Sequence, residues 1–497
     1  MPTLPAPRPR AALGGVVAAA LLAAACATNP VTGRREIIFV STEREKAEGR
    51  RAAELVEREI GLVADGEAAA YLRALGERIA RGSPYREVSY SFFLADMEEP
   101  NAFALPGGYV YLSRGLLALA NSEDELAGVL AHEIAHVAAR HHARLETRAA
   151  GVGLLTIGPA LVGAILGGPA QLLRAPFDVL GGGLIAAYGR DHEREADRVG
   201  QELAAAAGFD PAGLPRLLGT LERASPKGAG RERRPSFFDT HPATPERVAL
   251  AEASGRQLGF VRGPGVAGER GAFLKRLDGL RLGKSPAEGV FEGRRFLHPD
   301  LGFALELPEG WELVNTRSAV GAGAPGGQAR VVLEIEAEGD DPLASARAFL
   351  EALAGEIPLS VQERLAPLSV GGLPGARARA VASGRSGSLA LHLTWIAHGG
   401  RVYRIAGAAA PRVAPAFEAP FAATAGSFRE LLPAQRAAIQ ATALRLVAAR
   451  GGEKLEELAT RSASAWSAEE IAVANALAPG PALEAGALVK VARREPY

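Results

Sequence analysis

His132, Glu133 and His136 form an H-E-x-x-H pattern. On a helix, two histidines four apart stack on one face and the glutamate is turned beside them. Two imidazoles so placed can offer nitrogens to one cation while the neighbouring carboxylate takes a proton from water, which suits zinc-dependent hydrolysis. A catalytic zinc takes three protein ligands and keeps one position open, so a third ligand must come from elsewhere. In YGRDHEREADRVGQELAAAAG, residues 188–208, Glu193 and Asp197 are again four apart. Glu193 is the expected third ligand, and Asp197, one turn on, can hold the outer nitrogen of a liganding imidazole. Glu133 is the expected general base, passing its proton to the leaving amine. A plainer reading makes His192, Glu193 and Glu195 solvated helix charges; it is kept for His192 and Glu195, and His141 and His142 are read as surface residues.

The elements that must position these groups follow from periodicity. Ser122 to His142 reads as one amphipathic helix, with Leu126, Val129, Leu130, Ile134 and Val137 at helical spacing and Ser122 with Glu125 as a capping box. A second helix carries Glu193 and ends at Gly208, before Asp210-Pro211. Helical patterns over residues 42–79 are expected to cradle the first. Residues 88–94 and 109–112 read as strands, with Pro106-Gly107-Gly108 as a turn between them. An edge strand here can take an extended peptide through main-chain hydrogen bonds, as a proteinase requires.

H-E-I-A-H at 132–136 followed by E-R-E-A-D at 193–197, with N-A-F-A-L-P-G-G-Y-V at 101–110, resembles the HtpX and CAAX-prenyl-protease family of gluzincin zinc metallopeptidases. The likeness covers roughly residues 27–280 and is closest to the periplasmic BepA and LoiP branch. It implies one zinc ion per chain held by His132, His136 and Glu193, with Glu133 as base and Asp197 behind the ligands. It also implies a cleft-lining edge strand with Asn101, Ala102, Phe103, Gly107 and Gly108. His241-Pro242 with Arg247 resembles the family's H-P segment, whose histidine lies near the zinc, either stabilising the oxyanion or filling the open position.

The chain has 497 residues, enough for about three domains, and 48% of them are apolar. Its 56 basic and 56 acidic residues balance, so there is no nucleic-acid footprint. Residues 1–25 read as a secretory signal, with Arg8 and Arg10 before an apolar stretch too short to span a bilayer. Ala23-Ala24-Ala25-Cys26 resembles a bacterial lipobox, making Cys26, the one cysteine, the lipidated first residue, followed by a tether to residue 41. Ala27 in place of aspartate favours the outer membrane. The uncharged run 149–170 is interrupted by Pro159 and Pro169 and is expected as short apolar helices over the cleft rather than a membrane span.

A metallopeptidase domain over 42–285 is expected to give way, in the loop Arg281 to Gly289, to an antiparallel α+β domain over 290–435 without a catalytic constellation; His298, His392 and His398 are read as packing residues. Residues 442–494 follow a β-α-α-β order resembling a LysM carbohydrate-binding module, which implies peptidoglycan as a partner. The expected fold is thus multidomain: a mainly α, zincin-like metallopeptidase domain with a small edge-strand sheet, the α+β domain, and the βααβ LysM-like module. The expected function is a lipid-anchored, periplasm-facing zinc endopeptidase acting on misfolded envelope polypeptides. The competing readings are a zinc-latched periplasmic chaperone or assembly factor with little proteolysis, and a peptidoglycan-binding envelope scaffold.

Overall fold

The structure, a computed structural model, describes residues 26–63, 66–151, 188–225, 237–241, 245–384, 387–478 and 480–497. The expected leader 1–25, the apolar run from residue 152, the Gly181 to Gly183 link and nearly all of the basic loop 225–235 lie outside the described residues. Among those described, no helix is long and apolar enough to cross a membrane.

The chain opens with a hairpin of β1 (Cys26–Thr28) and β2 (Arg35–Ile37). Helices α1 (Thr42–Glu59) and α2 (Glu67–Ala80) follow, as the periodicity predicts. Three strands, β3 (Ser91–Ala95), β4 (Ala102–Leu105) and β5 (Tyr109–Ser113), form a sheet with β5 in the middle, parallel to β3 and antiparallel to β4. This leaves β4 as an edge. Gly107 and Gly108 lie in the β4–β5 turn rather than on the strand, with φ of +81° and +96°. A side chain at Gly108 would place its Cβ 2.4 Å from Ser89 O, so these two glycines let the turn close against its neighbours.

After α3 (Arg114–Leu119) comes α4 (Glu123–Ala138), capped by Ser122, whose side chain accepts from Glu125 N, while Glu125 Oε2 accepts from Asn121 N at 2.7 Å. Leu126, Val129, Leu130 and Ile134 are each at most 1% exposed, worth ~1.5–3 kcal/mol per side chain. The single helix expected to run through His142 is broken. Arg140 takes a left-handed conformation with φ of 54°, its guanidinium buried against Glu45 Oε2 at 2.9 Å and Val40 O at 2.7 Å, and a new helix, α5 (His141–Gly151), starts beyond it.

Helix α6 (Arg190–Ala206) packs along α4, and Gly200 makes this possible: a Cβ there would stand 2.8 Å from His132 N. Helices α7 (Gly213–Ala224), α8 (Phe237–Thr240) and α9 (Pro245–Gln257) complete the helical layer. One core joins α2, β5, α3, α4, α6 and α7 and also takes in Leu444 from far down the chain.

The short strand β6 (Arg281–Leu282) leads out of this body. Beyond it, β7 (Val290–Glu292), β8 (Arg295–His298) and β9 (Phe303–Glu306) begin a four-stranded sheet. A seven-stranded antiparallel sheet is made by β10 (Glu312–Asn315), β11 (Ala319–Gly323), β12 (Ala329–Glu338), β13 (Leu359–Val370), β14 (Leu373–Gly384), β15 (Gly387–His398) and β16 (Arg401–Ala409), in the order 10-11-12-16-15-14-13. Helix α10 (Pro342–Glu356) covers one face through Phe349 against Trp395. The smaller sheet and α11 (Glu418–Gly426) cover the other through Phe303, Phe421 and Phe428. The antiparallel α+β expectation therefore describes this region; beyond α11, Arg429–Glu430 form β17 on the edge of the smaller sheet.

The tail has the expected order: β18 (Gln440–Ala448), α12 (Leu455–Arg461), α13 (Ala468–Ala474) and β19 (Leu488–Pro496), the two strands pairing antiparallel. β18 also pairs with β6. Lys490 is wholly buried, its ammonium donating to Ala118 O at 2.8 Å and Ala120 O at 2.7 Å at the end of α3.

Candidate metal centre

Helix α4 presents His132 and His136 on one face, and α6 brings Glu193 and Asp197 against them. His132 Nε2 lies 3.0 Å from His136 Nε2 and 3.7 Å from Glu193 Oε2, and His136 Nε2 lies 3.3 Å from Glu193 Oε1. All three residues are buried. The short segment after α8 adds His241, whose Nδ1 is 3.0 Å from Glu193 Oε1 and 3.4 Å from His132 Nε2. The four donor atoms lie within 4.8 Å of one another.

Hydrogen bonds outside this cluster fix where the lone pairs point. Asp197 Oδ1 stands 3.0 Å from His132 Nδ1, and a carboxylate can only accept, so Nδ1 carries the hydrogen and Nε2 the lone pair. On the other histidine, Nδ1 faces His141 Nδ1 at 2.9 Å, and His141 Nε2 faces Glu195 Oε2 at 3.1 Å. The bond from His141, together with Arg144 at 2.7 Å, holds Glu195 ionised, with its pKa pulled down to about 2. His141 therefore donates from Nε2, accepts at Nδ1, and requires His136 to donate from Nδ1. Both Nε2 lone pairs then converge on the Glu193 carboxylate. Electron-rich atoms at 3.0 to 3.7 Å repel unless a cation sits among them. A tetrahedral zinc with ~2.0–2.1 Å bonds spaces its donors by ~3.3 Å. The residues fit the ion.

Behind this cluster, Arg247 of α9 forms an ion pair with Glu193 Oε2 at 2.6 Å and donates hydrogen bonds to Asp197 through Nε at 2.7 Å and Nη2 at 2.8 Å and to His241 O at 3.2 Å. One buried guanidinium thus ties Glu193, Asp197 and the His241 segment together. Burial opposes ionisation of Glu193, yet the surrounding imidazoles outweigh it and hold the carboxyl well below the usual range. Burial likewise keeps His136 neutral by lowering its pKa.

Glu133 is wholly buried, both its oxygens are without a hydrogen-bond partner among the described residues, and burial pushes its carboxyl up. Its near neighbour is His241 Nε2 at 3.4 Å. For His241, burial opposes the charged form, but the Glu133 and Glu193 carboxylates prevail and the net shift is upward. The His241 ring stacks on Phe237 at 4.6 Å, and Phe237 N donates to Pro100 O, which pins the segment beside β4. A small cleft between Ala104, Leu105 and Pro106 on one side and His136 and Tyr188 on the other opens next to the cluster. Tyr188 stacks on His136 at 4.0 Å.

The structure therefore brings together His132, Glu133, His136, Glu193, Asp197, His241 and Arg247. Ala102 and Phe103 lie on the edge strand, with Asn101 buried just before it and bonded through its backbone to Ser113 Oγ at 2.8 Å. Three readings of the sequence are corrected. His141 is buried, not a surface residue, and supports His136; Glu195 is its partner; and His192, 2% exposed, stacks on His141 at 4.4 Å instead of facing solvent. The sequence signal for His141 was its place five residues after His136, hidden because an unbroken helix would have turned it away. His298 and His398 pack locally: His298 Nδ1 accepts from Leu301 N, and His398 Nε2 donates to Gly302 O.

A two-helix scaffold with H-E-x-x-H on one helix and a glutamate facing it from the other is the arrangement of zinc metallopeptidases of the gluzincin type. Residues 67–254 match the family model of peptidase family M48. Over 239 residues the chain is 31% identical to the beta-barrel assembly-enhancing protease of Escherichia coli (strain K12), covering 46% of each chain. It is 31% identical over 226 residues to the mitochondrial metalloendopeptidase OMA1 of Schizosaccharomyces pombe, covering 45% of this chain and 64% of that one. It is 31% identical over 176 residues to the metalloprotease LoiP of Escherichia coli (strain K12), covering 35% and 64%. The chain spans about half the length of the first of these relatives.

Proposed function

We propose that this protein is a zinc-dependent endopeptidase of the bacterial cell envelope that hydrolyses polypeptides in the quality control of outer-membrane proteins. The observation that carries this reading is the convergence of two imidazole lone pairs and the Glu193 carboxylate beside a buried Glu133 that no described residue hydrogen-bonds. His132, His136 and Glu193 would hold the ion, one per chain. Bound there, zinc supplies Lewis acidity towards a peptide carbonyl and a lowered pKa for water. Glu133 takes the proton from the attacking water and delivers it to the departing amine. The edge of β4, unpaired among the described residues, receives the peptide as an added strand and presents its scissile bond to Glu133. Asp197 and Arg247 hold His132, Glu193 and the His241 segment in place.

The relatives' names, a beta-barrel assembly-enhancing protease and an Escherichia coli metalloprotease, support the envelope setting. The lipobox-like residues before Cys26 support lipid anchoring at the outer membrane. The β18-α12-α13-β19 order supports a LysM-like module whose partner would be peptidoglycan glycan.

A second reading is favoured by one observation: His241 Nδ1 stands as a fourth donor in the cluster. The site then rests closed, and the protein works as a chaperone or assembly factor until substrate displaces that imidazole. The deciding experiment compares the protein with Glu133→Gln on unfolded casein, with and without chelator. The variant is expected to keep its zinc and lose ~10²–10⁴-fold in rate, since the ligands are untouched and the proton acceptor is gone. Equal hydrolysis by both would refute the assignment, and no hydrolysis by either, with zinc bound, would favour the closed chaperone.

A further inference from the structure

The N-terminal hairpin has two unlike faces. From Arg35 to Val40 exposure alternates, as it does along a strand with one covered side. The covered set is tied to the body of the protein. Glu36 accepts from Asn29 Nδ2 at 3.0 Å and pairs with Arg144 Nε at 3.3 Å, while Ile38 and Val40 pack on Ala143 of α5. The other set is Arg35, Ile37 and Phe39. Ile37 is 50% and Phe39 56% exposed. Of the eight large apolar side chains this exposed among the described residues, these two alone lie two residues apart on one face. Scattered exposed apolar residues are ordinary; a paired set on one side of a segment whose other side is tied to α5 is a surface.

Two further observations say what covers it. Arg34 and Arg35 are exposed beside the pair, and neither guanidinium has a hydrogen bond or ion pair among the described residues. Two free cations next to an isoleucine and a phenylalanine fit a layer with anionic phosphates outside and acyl chains beneath. The backbone of Cys26 pairs directly opposite Ile37. The residue read as lipid-bearing and the apolar pair therefore start from one point. A lipid on a flexible tether would leave the protein free to tilt, whereas a docked hairpin would not.

We propose that Arg34, Arg35, Ile37 and Phe39 form a membrane-contact face that seats the hairpin on an anionic lipid surface. The proposal deepens the reading of the chain as an envelope lipoprotein and rests on it for location. Because the hairpin is joined through Arg144 and Ala143 to α5, the helix that follows the metal-binding one, this face sets which way the cleft looks relative to the membrane.

The test uses full-length Phe39→Cys protein labelled with nitrobenzoxadiazole and reconstituted in vesicles of phosphatidylglycerol and phosphatidylethanolamine, with or without brominated acyl chains. Val261→Cys, at a position 87% exposed, is the comparison. The label at position 39 is expected to shift to the blue and lose most of its emission to brominated chains, and the label at 261 to do neither. Adding Arg34→Glu and Arg35→Glu should weaken that quenching. A label at 39 that stays in water, or is blue but not quenched, overturns the proposal; the second result would assign the face to residues 152–187 or to a second copy. Failure of the lipid reading is seen separately. Cys26 is the sole native cysteine, so a Phe39→Cys protein taking up one label has a blocked Cys26, and one taking up two has a free Cys26. In the latter case the measurement is repeated with Cys26→Ser, and quenching at 39 still decides.

Discussion

Replacing His141 with phenylalanine isolates the role of a residue that never touches the ion. The new ring keeps the stacking surface against His192, 4.4 Å away, but removes the acceptor 2.9 Å from His136 Nδ1 and the link to Glu195. His136 is then left with a buried, unmet N–H, a loss of ~1–3 kcal/mol, and its ring is free to flip or change tautomer. Losing a partner of this kind lowers metal affinity by ~10- to 100-fold, which agrees, since each 1.4 kcal/mol is a factor of about ten. The assay is zinc competition against a chromogenic chelator, followed by the rate of zinc loss, both independent of turnover. The melting temperature of the metal-free protein should fall as well, because the unmet N–H is buried in the folded state, so zinc binding is compared at a temperature where both proteins are folded. His141→Asn, which restores a carbonyl acceptor, should recover part of the affinity. If His141→Phe holds zinc within about threefold of the parent, a difference of only ~0.7 kcal/mol, the relay from Glu195 through His141 to His136 does not set the tautomer and the reasoning fails.

His241→Ala separates two roles by sign. If the imidazole closes the site, the variant keeps zinc and cleaves unfolded casein or itself faster; if it stabilises the oxyanion, turnover falls ~10²-fold on every substrate. Lys490 gives a pH signature. Burial pulls its pKa down to about 7, whereas the unfolded chain holds that proton up to ~10.4. Between these values the unfolded state binds more protons, so this residue makes stability rise with pH across ~7 to ~10. Thermal melts of Lys490→Met should lack that rise relative to the parent; parallel curves would show that Lys490 is charged and satisfied throughout.

The His132 helix and the Glu193 helix were legible because the signals are local: a four-residue spacing fixes which side chains share a face, and Ser122 marks where the first helix begins. The position of His141 was not legible. Nothing in A-A-R-H-H announces that Arg140 will adopt a left-handed conformation, a choice driven by Glu45 on α1 and the Val40 carbonyl, which reach it from far along the chain. Strand β13 carries Glu363, Arg364 and Pro367 and breaks its alternation at register shifts, so its sequence does not read as a twelve-residue strand. Lys490 could not be placed from sequence either, since its partners Ala118 and Ala120 lie some 370 residues away.

The pairing of β6 with β18 sets Leu282 opposite Thr442 and Arg281 opposite Ala443. Neighbouring strands lie ~4.8 Å apart, so the chain departs from and returns to the same sheet almost at one point. The seven-stranded region is therefore an insertion, and the last strand of the protein belongs to the body that holds the metal centre rather than to an appendage hung on its end. A loop whose ends are already held side by side can grow or shrink at little entropic expense. Residues 290–435 are thus free to vary in sequence and length, or to be excised and replaced by a tight turn, while the tail is not: deleting it would take Leu444 out of the core and leave the carbonyls of Ala118 and Ala120 without the Lys490 ammonium, just ahead of the helix that carries His132.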